Sequence, residues 1–214
     1  MPRLAALLGT LLLAGAIAAG AGDWRLELHG GAARSFGSTL EVRQDGQGGL
    51  AVDASWAGRP FDPPIYWSWR VARWSGGRGF SLQVIHHKLY LEDPPPEIES
   101  FSVSHGYNLA TLQYGWTIHG FELWAGGGAV IAHPESSVRG LVLSETGGTF
   151  GGGYHLTGPT LAVAAGRGIA LGHRFLLSFE ARFTASWARV PVAGGEAEVP
   201  DRSLHALVGL GFRF

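Results

Sequence analysis

Leu204-His205-Ala206-Leu207-Val208-Gly209-Leu210-Gly211-Phe212-Arg213-Phe214 is the stretch that decides the fold. Leu204, Ala206, Val208, Leu210, Phe212 and Phe214 share one parity and are apolar, while His205, Gly209, Gly211 and Arg213 fall between them. This period of two belongs to a strand with one greasy face. Upstream, Phe175, Leu177, Phe179, Ala181, Phe183, Ala185 and Trp187 alternate with Arg174, Ser178, Glu180, Arg182, Thr184 and Ser186. That run is long for a soluble strand but suits a tilted strand crossing a bilayer, with its charges turned to a filled lumen. Further candidate strands at 24–34, 65–74, 79–90, 108–117, 121–132 and 155–167 bring the number to eight. Short connections at 75–78, 118–120 and 168–172 alternate with long ones at 35–64, 91–107, 133–154 and 188–201. The sequence thus predicts an all-β fold, an eight-stranded antiparallel transmembrane β-barrel with short periplasmic turns and long outer loops. Asp45-Gly46-Gln47-Gly48-Gly49, between 39–42 and 50–53, reads as a hairpin that carries the first two strands beyond the membrane.

The beginning of the chain bears on location. Pro2-Arg3, an apolar run from Leu4 to Ala18 and the small residues Ala19-Gly20-Ala21 form the pattern of a signal peptide over 1–21, cleaved before Gly22. The apolar run is shorter than the roughly 20 residues a membrane-spanning helix needs. The barrel domain then occupies 22–214. The chain has 34 Gly, 8 Trp, 5 Tyr and 11 Phe with only 15% charged residues, a composition of strands and turns. A net charge of -1 offers no basic surface for nucleic acid. Without cysteine there are neither disulfides nor thiolate metal sites, so stability falls to a closed ladder of strands. A soluble β-sandwich or lipocalin-like barrel also alternates, but it explains neither the terminal aromatic nor the loop pattern. A terminal aromatic after an alternating strand resembles the assembly signal of outer-membrane barrels. The expected location is therefore the outer membrane of a diderm bacterium, with that membrane's barrel assembly machinery as a partner and a monomeric state.

Alternation places Arg25, Glu27, His29, Arg70, Gln83, Glu122, Glu180, Arg182 and Arg213 inside. An eight-stranded barrel is just wide enough to be filled by such side chains, which makes this set structural and the barrel closed to flow. The outer face differs. The outward parity of Phe80, Leu82 and Val84 continues to His86 and Lys88; Tyr114, Leu112 and Ala110 lead up to Asn108; and Phe121, Leu123, Ala125, Ala129 and Ile131 lead up to His133. His105 and Glu135 lie beside them in flanking loops. Strand ends that emerge into head groups become polar in any barrel. Three histidines at one level nevertheless point to acid-base or ligand chemistry. A site there opens sideways, and its natural substrate is a lipid, in such an envelope lipopolysaccharide.

Val84-Ile85-His86-His87-Lys88-Leu89-Tyr90, Phe101-Ser102-Val103-Ser104-His105-Gly106-Tyr107-Asn108 and Gly126-Gly127-Gly128-Ala129-Val130-Ile131-Ala132-His133-Pro134-Glu135 resemble, in order, the His-x-Lys, His-Gly-x-Asn and His-x-Glu motifs of the outer-membrane lipid A oxidase family. Pro63-Pro64-Ile65-Tyr66 stands where that family has a Pro-Pro-aromatic stretch. Ile65 interrupts the aromatic run, His87 adds a histidine and Gln83 replaces an expected acid. The resemblance spans about residues 60–136. It implies oxidation of a lipid A glucosamine towards an aminogluconate with dioxygen as co-substrate, at a site of His86, His105, His133 and Glu135, with Lys88 and Asn108 on the substrate. No side chain readily activates dioxygen, and no nucleotide-binding fingerprint is present. Three histidines and a carboxylate suit iron or copper instead, which makes the same four residues candidate metal ligands. Two other readings stay open: a lipid A deacylase using Ser, His and Glu on the outer face, although Ser104 and His105 of an extended strand point to opposite faces; and a non-enzymatic structural or adhesive barrel whose long loops contact partners.

Overall fold

A computed structural model describes residues 23–144 and 146–214. The signal peptide expected at 1–21 lies outside the described residues. Twelve strands form among the described residues: β1 (Asp23–Ser35), β2 (Ser38–Gln44), β3 (Leu50–Ala57), β4 (Trp67–Ser75), β5 (Arg78–Glu92), β6 (Ile98–Ile118), β7 (Phe121–Ala132), β8 (Glu135–Val138), β9 (Leu141–Val142), β10 (His155–Ala170), β11 (Phe175–Val192) and β12 (Gly195–Arg213). Every pairing is antiparallel. Eight strands pair in the cycle β1-β4-β5-β6-β7-β10-β11-β12, and the β1–β12 register from Arg25↔Arg213 to Ser35↔Ser203 returns it to its start. With its ends paired to each other, the ring leaves no open sheet edge.

The other four strands extend the wall on one side. β2 prolongs β1 along β12, and β3 pairs with the end of β5, so the hairpin expected around residues 45–49 is present. β8 continues from β7 along β6, and β9 folds back to pair with β8. Two stretches expected as long loops are largely strand, and a third is strand in part. β6 begins at Ile98, within 91–107; β8 and β9 occupy part of 133–154; and β11 and β12 run through 188–201 to a turn at Ala193-Gly194.

The reason is a change of polarity at constant parity. Along β11, Glu180, Arg182, Thr184 and Ser186 face in while Phe179, Phe183 and Trp187 face out; further up, Ala188, Val190 and Val192 face in while Arg189 faces out. β12 repeats this, with Val199 and Ala197 inside above His205 and Ser203, and Arg202 outside above Leu204, Val208 and Leu210. The upper interior is consequently apolar, built on Leu40, Val42, Trp56, Leu89, Phe101, Tyr107 and Val190.

The lower interior is ionic, as alternation predicted. Arg70 bonds Glu27 and Glu180; Arg182 Nε donates to Glu180 at 2.9 Å and its Nη2 to Gln83 at 2.6 Å; and Arg25 Nη1 donates to Glu122 at 2.7 Å. Outside, exposed Leu26, Leu28, Phe80, Leu112, Phe121, Leu161, Val163, Phe175, Phe179, Leu204, Leu210 and Phe214 encircle the ring.

Candidate functional site

The outward parity of β5 carries His86, Lys88 and Tyr90 above Phe80, Leu82 and Val84. That of β7 runs through Ile131 to His133, whose chain continues into β8 at Glu135. Between them lies β6, where the register breaks. Tyr107 pairs with His87 and Val103 with Leu89, so one residue of β5 faces three of β6: Ser104, His105 and Gly106. This bulge turns His105 outward although its parity is that of the lumen-facing Val103 and Tyr107. Gly106 makes the bulge possible. Its φ is 133°, and a Cβ there would lie 2.3 Å from Asn108 Nδ2, so a side chain is excluded by both backbone and space. The His133 N–H donates to the Gly106 carbonyl at 3.0 Å and holds the bulge from the other side.

Three of the four expected ligands come together. His105, His133 and Glu135 present ligand atoms within 4.8 Å of one another. His105 Nδ1 donates to Glu135 Oε1, Ser104 Oγ donates to the same oxygen at 2.6 Å, and His133 Nδ1 lies 3.8 Å away, buried and without a hydrogen-bond partner among the described residues. The rings of His105 and His133 have centroids 5.0 Å apart, and Tyr154 packs edge-on against His133 while its hydroxyl donates to the His105 carbonyl at 3.2 Å. Burial pushes the Glu135 carboxyl up, but the hydrogen bonds from Ser104 and His105 and the nearby histidine charges outweigh it, so it titrates below its ordinary range and stays ionised. Two imidazoles and an ionised carboxylate are a donor set that would suit a transition metal with open positions. The unpartnered His133 Nδ1 fits that use.

His86 stands outside this group of three. Its ring stacks on Trp67, with centroids 5.3 Å apart and planes 6° from parallel. Asn108 Nδ2 donates to the Ile131 carbonyl at 3.1 Å, which turns Oδ1 towards His86 Nδ1 at 2.8 Å. The proton therefore sits on Nδ1, and Nε2 keeps a lone pair that is buried and unpartnered. Both ends of the Asn108 amide are engaged, so it positions His86 instead of presenting a free donor to a sugar. Lys88 is covered as well. Its Nζ donates to the Asp62 carbonyl at 2.7 Å, in the segment 58–66 that joins β3 to β4 and crosses the outer wall.

Alternation alone missed Ser104, Trp67, Tyr154 and that crossing segment. Ser104 was expected to point away from His105, but the bulge brings its Oγ to 3.3 Å from His105 Nδ1 and onto Glu135. A nucleophilic triad needs serine on one ring nitrogen and carboxylate on the other. Here both converge on Nδ1, and Ser104 donates its proton to the carboxylate. The arrangement fixes Glu135 and does not activate the serine.

No family model matches the chain, and no curated relative matches it. Among solved structures it is similar to the outer membrane protein OprG of Pseudomonas aeruginosa, at 13% identity over 91% of this chain and 96% of that one with a TM-score of 0.49. It is also similar to the outer membrane protein AlkL in lipid bilayers, at 14% identity over 92% of each chain with a TM-score of 0.49. The attachment invasion locus protein Ail of Yersinia pestis is a third, at 14% identity over 90% of this chain and 99% of Ail with a TM-score of 0.43. At such scores the function of this chain rests on its own residues.

Proposed function

We propose that this protein is an outer-membrane β-barrel that oxidises the head group of an outer-leaflet lipid, the glucosamine of lipid A, at the His105, His133 and Glu135 cluster on its outer wall. The observation that supports the reading best is the polarity inversion. Below it the wall is apolar outside and ionic inside, as hydrocarbon requires; above it the wall is polar outside and apolar inside, as water requires. The cluster lies on the outward side, towards the upper ends of β5 and β7, which this reading sets at head-group level.

In the reaction implied by the resemblance, the C1–H hydrogen and the hydroxyl proton of the sugar hemiacetal leave with two electrons. Dioxygen takes both hydrogens and both electrons to become hydrogen peroxide, and water opens the resulting lactone to the aminogluconate. An iron or copper ion held by His105, His133 and Glu135 would supply the electron transfer to dioxygen that side chains lack. Ser104 holds the Glu135 carboxylate in place for that ion. His86, fixed by Asn108 and Trp67, offers its Nε2 lone pair to the hydroxyl proton.

Mass spectrometry of lipid A from cells with and without the gene tests the reading. The expected product carries one additional oxygen on an unchanged acyl set, absent when His105, His133 or Glu135 is replaced. Identical lipid A in all strains removes the enzyme and leaves a structural barrel; loss of an acyl chain replaces oxidation by deacylation.

A further inference from the structure

Beside the histidine cluster the outer wall carries a second group of residues, around Lys88. The segment Gly58-Arg59-Pro60-Phe61-Asp62-Pro63-Pro64-Ile65-Tyr66 leaves β3, crosses the outward face of β5 and enters β4. Both of its ends are pinned. The Tyr66 N–H donates to the Pro60 carbonyl at 2.8 Å, and the Tyr66 side chain turns into the barrel, where its hydroxyl is 2.9 Å from His205 Nδ1. Beneath the segment, two cations share one aromatic ring: the Arg59 guanidinium lies 4.3 Å from the Tyr90 centroid and Lys88 Nζ 5.6 Å. Lys88 is held by the Asp62 carbonyl, and the Asp62 carboxylate acts on it through space. At the tip, Phe61 is 81% exposed and Ile65 57%, flanked by exposed Pro63 and Pro64.

We propose that the 58–66 segment and the Arg59, Lys88 and Tyr90 group beneath it form a subsite for the phosphate of an outer-leaflet lipid, with Phe61 and Ile65 inserted among the acyl chains. The inference rests on the reading above that this wall faces the outer leaflet. The Asp62 carbonyl holds Lys88 Nζ from within the chain; a lipid phosphate takes its place and gains two charge-assisted partners, one of them the planar guanidinium suited to phosphate oxygens. The aromatic ring keeps the two cations close together without a ligand. The exposed apolar tip makes a lipid, and not a free anion, the better occupant.

The test is calorimetric titration of the full chain, folded in a zwitterionic detergent, with short-chain phosphatidic acid, short-chain phosphatidylcholine and inorganic phosphate. Phosphatidic acid is expected to bind more tightly than inorganic phosphate by at least about tenfold, and phosphatidylcholine to bind weakly. Arg59→Gln and Lys88→Gln should each weaken phosphatidic acid by about tenfold. Asp62→Asn, which removes the negative charge that acts on Lys88 and would repel a phosphate, should tighten it, an outcome that damage to the fold does not produce. Phe61→Ser and Ile65→Ser should weaken phosphatidic acid and leave inorganic phosphate unchanged. Equal affinity for the two phosphates overturns the lipid assignment, and wild-type affinity in both cation variants overturns the subsite itself. Unchanged lipid A in cells together with this binding pattern sinks the oxidase while upholding the subsite; oxidised lipid A with no phosphate binding does the reverse.

Discussion

The lower lumen and the upper outer wall use the same kinds of side chain to opposite ends. In the lumen Glu27 and Glu180 each meet arginine, Arg182 reaches Glu180, Gln83 and Gln113, and Glu122 takes both Arg25 nitrogens. Where a charged group there has an atom without a bond, as with Arg182 Nη1 or Glu27 Oε1, the group is anchored through its other atoms, while the neutral Ser81 Oγ, Trp74 Nε1 and Trp124 Nε1 are buried beside the network without a partner among the described residues. On the outer wall His133 Nδ1 and His86 Nε2 are buried with no hydrogen-bond partner among the described residues. A network that closes on itself specifies a rigid interior. One that ends in open lone pairs is shaped for something that arrives.

The comparison breaks first at Glu180. Glu180→Ala leaves Arg70 and Arg182 buried without their shared carboxylate, and should cost about 3–5 kcal/mol in urea unfolding from vesicles, with lipid A modification per folded molecule unchanged. A loss of activity as large as the loss of stability would make the lumen part of the site. On the outer wall the order reverses. His105→Ala and Glu135→Gln should each lower lipid A oxidation by at least about 100-fold, measured by mass spectrometry, with a stability change within about 1 kcal/mol.

Gly106→Ala sharpens the contrast, because it changes no ligand. The strain at φ 133° and the clash with Asn108 should cost roughly 1–3 kcal/mol, and should weaken binding of added metal to the purified barrel by displacing His105. Unaltered metal affinity would separate the bulge from the site. Smaller still is the effect of Ser104→Ala, which removes one bond to Glu135 at about 1 kcal/mol; activity should persist in part, whereas a serine nucleophile would be lost altogether.

The smallest effect is on pH. Glu135 is held below its ordinary value of 4.5 in the folded chain, so its contribution is fully present above that value and fades as pH falls through the lower, folded one. The stability difference between wild type and Glu135→Gln should stay below about 1 kcal/mol and should close as the pH falls below about 4.5. A difference that instead grows on acidification contradicts the ionised carboxylate.

Much of the molecule was legible in residue parity. A strand alternates its faces strictly, so Phe175 to Trp187 and Leu204 to Phe214 identified the apolar exterior, the ionic interior and the outward path to His86, Lys88 and His133. The upper strands were less legible because loop assignments followed the loss of outward apolar residues. In Val190, Val192, Ala197 and Val199 the alternation continues with its polarity exchanged, a signal visible only to a reading that allows the solvent to change along one strand.

The sequence by itself determined the period, the two faces of each strand and the residue types available for chemistry, since these follow from local geometry and side-chain character. Only the tertiary structure decided which of those residues meet. The extra residues at Ser104-His105-Gly106 turn a lumen-parity histidine onto the outer wall; strand pairing across that bulge sets Glu135 and His133 beside it; and the crossing segment places Asp62 on Lys88. Such meetings depend on cross-strand register and long-range packing, and neither is encoded in the alternation of a single strand.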